Sequence, residues 1–136
     1  FALMIGNGAV LFEALQGGAR GGILAVGCIV PELCIEVFRA LQAGEIDRAK
    51  YLQDNLTPLA RAVTKTYGIG GLKTAMEIVG LVGGAVRAPL QRPNDVAAAE
   101  IAQLLSRATR AFENSQSDDA ALAATGSSLA HQGPDA

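Results

Sequence analysis

Two short apolar runs, Phe1–Ile5 and Gly22–Gly27, open the sequence, and the segments after them up to about Phe112 are mostly of helical periodicity. Each run is bounded by turn-forming residues, as expected of a strand buried on both faces. Gly6-Asn7-Gly8 cuts off the first. Between them Ala9–Gln16 places Val10, Leu11, Ala14 and Leu15 in a helical stripe, and Gly17-Gly18 ends it. Strand, short helix and strand in under thirty residues make a βαβ unit, which builds parallel sheet. Two such strands need neighbours on their edges and helices on both faces, or closure into a barrel. The helices that follow cannot supply these. The expectation is therefore that the strands are the last two of a larger α/β fold whose remainder lies upstream of Phe1.

The helical part reads in four pieces. Glu32–Ala43 sets Leu33, Val37, Phe38 and Leu41 on one side, with Glu32, Glu36 and Arg39 opposite. Glu45–Tyr67 is strongly periodic through Ile46, Ala49, Leu52, Leu56, Leu59, Val63 and Tyr67, with a bend predicted at Pro58. Leu72–Val79 is a short helix, and Arg87-Ala-Pro-Leu90 an extended or turn segment. Asn94 caps the last helix, whose core stripe is predicted as Val96, Ile101, Leu104, Leu105, Ala108 and Phe112. From Asn114 to Ala136 Ser, Asp, Ala, Gly, Gln and Thr dominate without apolar periodicity, which predicts a disordered tail. Three regions result: 1–31 with the strands, 32–113 helical, and 114–136 as tail.

Composition narrows the function classes. With 50% hydrophobic and 18% charged residues the chain is too apolar for wholesale disorder. A net charge of −2 opposes a nucleic-acid binder held by a broad basic face. No run reaches the 18 or more apolar residues of a spanning helix, so no membrane partner is expected. No charged n-region precedes an apolar core, so no secretory signal is visible. Cys28 and Cys34 have neither Cys-x-x-Cys spacing nor a nearby His, and read as two buried small hydrophobes in a reducing compartment, the cytoplasm.

The candidate chemistry is sparse. Gly6-Asn7-Gly8 starts like a dinucleotide fingerprint, but Leu11 stands where the third Gly belongs and Cys28 sits near the place of the acidic residue. A strand end whose backbone approaches a small ligand fits better. In a barrel of alternating strands and helices that end carries the site, which selects Gly6, Asn7 and the residues around Val26–Cys28. Gly17–Gly22 reads as tight-turn geometry on the opposite end. His131, the only His, falls in the tail. Lys50 and Lys65 read as solvated charge, and Lys73 as a structural cation paired with a carboxylate or with carbonyls. Glu13, Glu36 and Glu77 show no paired-carboxylate spacing, and no metal-ligand cluster is present.

Several motifs occur in a telling order: Ile5-Gly-Asn-Gly8, Leu11-Phe-Glu-Ala-Leu-Gln-Gly-Gly-Ala-Arg-Gly-Gly-Ile23, Ala43-Gly-Glu-Ile-Asp47 with Ala49, Leu56-Thr-Pro-Leu59, Tyr67-Gly-Ile-Gly-Gly-Leu-Lys73 and Val86-Arg-Ala-Pro-Leu90. From Phe1 to about Phe112 the chain resembles the C-terminal part of the dihydrodipicolinate synthase / N-acetylneuraminate lyase family. The Tyr67–Lys73 variant looks more like its 4-hydroxy-2-oxoglutarate aldolase branch. The resemblance implies a C-terminal fragment of a (β/α)8 TIM barrel, with Phe1–Ile5 as strand seven and Gly22–Val26 as strand eight, followed by a C-terminal helical extension. A barrel of this type takes about 250 residues, against 136 here.

Family members are class I aldolases. A Lys on strand six forms a Schiff base with pyruvate, and a Tyr on strand five relays protons; neither strand is present, so the chain carries no catalytic residue of its own. Two pyruvate-pocket positions carry over by the resemblance, both substrate-binding. Gly6 matches the glycine closing strand seven. Ile23 matches the strand-eight residue whose carbonyl faces the Schiff base. The family often has Asn where Cys28 stands, and none of its catalytic residues maps onto Lys73. The protonated imine on pyruvate is itself the electron sink, and no cofactor or metal is implied. The expected partners are pyruvate or another 2-oxo acid, an aldehyde, and further copies in a homotetramer, while the chain alone is expected to be inactive. The alternative is a non-catalytic barrel relative acting as a small-molecule sensor or assembly module.

Overall fold

The computed structural model describes residues 1–129, with only the backbone for residues 119 and 122–129. Strands β1 (Met4–Ile5) and β2 (Gly21–Gly22) pair in parallel, Met4 beside Gly21 and Ile5 beside Gly22. The chain crosses between them through a 3-10 turn (Gly8–Val10) and helix α1 (Leu11–Gln16). A second 3-10 turn, Ala25–Cys28, leads into α2 (Pro31–Gln42). Helix α3 (Ile46–Arg61) passes into a π-helical turn (Ala62–Thr66), and α4 (Gly68–Ile78) and α5 (Asp95–Leu129) follow.

The βαβ unit is as expected, but its strands are shorter than the apolar runs. Regular pairing stops after two residues in each strand, flanked by Arg20 N–H to Leu3 C=O (2.8 Å) and Ile23 N–H to Ile5 C=O (2.9 Å). A strand keeps its form by bonding to neighbours, and each here has one among the described residues. The expected burial on both faces is likewise not met within this chain: Phe1, Leu3, Met4 and Ile23 are exposed.

The helices build the core. Pro31 takes the first helical position of α2, where no backbone N–H is needed. A turn at Gly44 (φ +79°) folds α3 back along α2. Leu33 and Val37 of α2, Leu52, Leu56 and Leu59 of α3, and Ile101 and Ala108 of α5 are buried in one cluster. At roughly 1.5–3 kcal/mol per fully buried large aliphatic side chain, this cluster stabilises most of the molecule. Pro58 does not end α3, which runs on to Arg61 before the ladder widens at Ala62. Asn94 caps α5, its Oδ1 accepting the Ala97 N–H at 2.9 Å.

Three expectations are corrected here. The predicted tail from Asn114 is helical up to Leu129. Extending an existing helix gains one bond per residue ordered, so Ala-rich sequence continues it without an apolar stripe. Ser115 is buried and accepts from Arg48 Nε at 2.8 Å, which ties this part of α5 to α3. Residues 130–136, with His131, lie outside the described residues. Glu36, assigned to the polar side of α2, is buried and pairs with Arg48 at 2.8 Å. Arg48 also reaches Glu45 (2.8 Å), so one guanidinium links α2, the α2–α3 turn and α5. Val96, assigned to the α5 stripe, is exposed, and Ala97 is buried instead.

Candidate functional site

The C-terminal ends of β1 and β2 lie side by side. Because Ile5 pairs with Gly22, the next residues, Gly6 and Ile23, stand one step past the last pair. Parallel strands are about 4.8 Å apart, so the register brings the two residues singled out in the sequence together. Gly6 is exposed, and a Cβ built on it would meet nothing within 4 Å. Ile23 has its side chain in the open, at 78% exposure. Its N–H is held by the Ile5 carbonyl, which orients the local peptide.

The loop after β1 is pinned from two directions. Asn7 Oδ1 accepts the Ala9 N–H at 3.0 Å, so the Asn forms a small turn with its own backbone. Gly8 packs against Val26, and a Cβ there would stand 2.6 Å from Val26 Cγ1. The close approach that glycine permits is thus made at Gly8, and to protein. From the other side α3 sends in Gln53, which is buried: its Nε2 donates to Gly8 C=O (3.0 Å) and its Oε1 accepts the Phe12 N–H (2.9 Å). Thr57, one turn on, accepts from Gln53 Nε2 at 2.9 Å and donates its one proton to the Gln53 carbonyl at 2.9 Å, with the Ala9 carbonyl 3.3 Å away. The sequence reading missed Gln53 and Thr57. The available signal is a polar residue, Gln53, next to Leu52 inside a dominant apolar stripe.

The remaining candidates resolve as follows. Lys73 Nζ donates to the Ala85 carbonyl at 2.6 Å, one of the two pairings, carboxylate or carbonyl, expected of it. Gly70 and Gly71 of the Tyr67–Lys73 motif serve packing: a Cβ on Gly70 would collide with the Gln91 carbonyl, and one on Gly71 with the Tyr67 side chain. Tyr67 donates to Glu100 at 2.6 Å, which raises its phenol pKa. Lys50 pairs with Asp54 on an exposed helix face. The two cysteines were expected to be alike, but Cys28 is exposed and only Cys34 is buried. Burial pushes the Cys34 thiol up to about 11, so it is a poor nucleophile near neutrality. Cys28 ends a 3-10 turn one residue before the chain dives inward at Ile29. Among the described residues no group of three His, Cys, Asp or Glu could hold a metal ion, and no helix is long and apolar enough to cross a membrane.

Residues 1–108 match the sequence model of the dihydrodipicolinate synthetase family, and the chain belongs to that family. A 4-hydroxy-tetrahydrodipicolinate synthase of Jannaschia sp. is 40% identical over 84 residues, covering 57% of this chain and 28% of the relative. One from Gluconobacter oxydans is 31% identical over 113 residues, covering 83% and 37%. Among solved structures, a prophage protein of the dihydrodipicolinic acid synthase family from E. coli K12, in complex with pyruvate, superposes with a TM-score of 0.69 at 20% identity, covering 80% of this chain and 37% of its own. The chain thus spans about a third of the length of the relatives it matches. The neighbours are TIM-barrel proteins, and the small sheet with its helices corresponds to part of such a fold.

Proposed function

We propose that this chain supplies the last two strands and the C-terminal helical extension of a class I, pyruvate-dependent aldolase or synthase. The observation that carries the reading is the register that sets Gly6 beside Ile23 at the C-terminal ends of two parallel strands, in a chain of this family. In α/β barrels the site lies at that end. The pyruvate held by the E. coli relative supports a 2-oxo acid as one substrate, and an aldehyde is the natural second.

The chemistry needs an amine. A protonated imine on pyruvate draws electrons from the neighbouring carbon, so a carbon–carbon bond there can form or break. Lys73 is not suited to this role: it sits on α4, and its ammonium is bonded to the Ala85 carbonyl. The amine would come from sequence outside these 136 residues. Gly6 then leaves room for the substrate against the backbone, and Ile23 supplies an apolar wall and a carbonyl to the imine. Gln53 holds the loop that shapes this wall. The 136 residues alone are inactive on this reading, and the working protein is a homotetramer.

Borohydride reduction with labelled pyruvate tests it. A covalent adduct on the full-length protein, and none on the 136-residue chain, is the expected result. No adduct on the full-length protein overturns the aldolase assignment and favours the non-catalytic relative. An adduct on the isolated chain overturns its inactivity.

A further inference from the structure

Beside the same strand end lies a cleft of about 410 Å³ lined by Asn7, Ala9 and Val10 on one side and Arg61, Thr64 and Lys65 on the other. We propose that this cleft is an oxyanion subsite, in which Arg61 and Lys65 hold the carboxylate or phosphate at the far end of a substrate whose reacting end lies at Gly6 and Ile23. The inference rests on the function proposed above for that strand end.

Position comes first. The Asn7–Val10 wall begins one residue after Gly6, so cleft and strand end share one loop. Gln53 fastens that loop to α3, the helix that carries Arg61, through Gly8 C=O and Phe12 N–H. The spacing between strand end and cationic wall is therefore set by buried bonds and not by a free loop.

Charge comes second. The two ionisable residues of the lining are both cations, in a chain whose net charge is −2. Among the described residues neither has an ion-pair partner, whereas Lys50 pairs with Asp54 and Arg92 with Glu77. Two unneutralised cations four residues apart repel each other, a cost that an anion between them reverses. Guanidinium offers a planar fork that matches a carboxylate or phosphate edge, and ammonium adds a compact point charge.

Backbone geometry comes third. The π-helical turn begins immediately after Arg61 and is closed by Tyr67 N–H to Ala62 C=O at 2.8 Å. It buries Ala62 and Val63 while Thr64 and Lys65 reach the cleft that Arg61 lines. Such turns are rare and occur often at functional sites. The Thr64 hydroxyl donates to Ala60 C=O at 2.6 Å and has no proton left to offer. The Asn7 carboxamide oxygen is taken by Ala9, which leaves its NH2 group as a third donor.

Calorimetric titration of the full-length protein with inorganic phosphate and, separately, with acetate tests the subsite, at an ionic strength held constant with sodium chloride. Saturable binding in the millimolar range is expected, weakened at least tenfold in the double variant Arg61→Gln, Lys65→Gln. Phosphate binding tenfold tighter than acetate would assign the subsite to a phosphorylated substrate, and comparable affinities to a carboxylate. No saturable binding of either anion, or equal binding by the double variant, overturns the proposal. Borohydride trapping on the same wild-type preparation separates the two readings. Trapping without anion binding removes the subsite alone. Anion binding without trapping removes the Schiff-base reading and leaves the subsite standing.

Discussion

The strand end and the helical body of this chain treat the same kinds of side chain in opposite ways. Leu52, Leu56, Leu59 and Ile101 on the helices are fully buried, whereas Ile23 is 78% exposed and Phe1, Leu3 and Met4 are open to solvent. Hydrophobicity does not distinguish the two groups. Backbone hydrogen bonding does. A helix closes its own bonds, so an amphipathic helix needs only one apolar neighbour to bury its stripe. A strand closes none by itself and shows an edge and a face wherever a neighbour is missing. The helical part is thus well buried within these 136 residues, and the two-strand unit is not.

The largest expected break in this comparison comes from shortening one side chain in each region. Leu56→Ala should cost about 3 kcal/mol, by transfer and cavity terms, while Ile23→Ala should stay within about 0.5 kcal/mol, as for other surface changes. Urea unfolding of both variants measures this, and equal losses would show that the contrast in burial carries no energetic weight.

A smaller effect sharpens the seam between the regions. Gln53→Leu removes the partners of the buried Gly8 carbonyl and Phe12 N–H, which should cost about 2 kcal/mol. Amide exchange at Phe12 should speed up more than exchange within α3. Unchanged protection at Phe12 would mean that Gln53 does not fasten the loop.

The smallest effect lies on the surface of the helical body. Arg92 bonds Glu77 and holds its carboxyl below the usual range. The native state therefore favours the charged carboxylate. Its stabilisation is present above the ordinary carboxylate pKa of about 4.3 and is lost as pH falls through the lowered value. Both groups are exposed, so solvent screens the pair and the effect is slight. Melting curves of wild type and Glu77→Gln should differ a little near neutral pH and converge in acid. A gap that widens on acidification would mean that the folded state does not favour the charged Glu77 carboxylate.

Much of this was legible in the sequence. Periodicity located α2, α3 and the start of α5, because a helical stripe needs only local spacing to be recognised. The motifs from Ile5-Gly-Asn-Gly8 to Val86-Arg-Ala-Pro-Leu90 pointed to the family that the match over residues 1–108 shows. The misses share a cause. Glu36 looked solvent-facing because it is charged and flanks the apolar stripe, but it stands three residues after Leu33, and Arg48 of α3, itself bonded to Ser115 of α5, pairs with it there. Cys28 and Cys34 looked alike because nothing in their immediate sequence states which one the fold turns inward. The residues from Asn114 looked structureless because a polar helix anchored at Ser115 has no apolar stripe to betray it.

By itself the sequence determined the βαβ start, the helices that follow and the family, since spacing, turn residues and motif order are properties of the chain read locally. Only the tertiary structure decided what surrounds Gly6 and Ile23. Gln53 lies 45 residues from the carbonyl it holds. Arg61 and Lys65 meet the Asn7–Val10 loop across the fold. Such partnerships depend on how helices pack against strand ends, and packing is fixed by shape and burial summed over the whole chain.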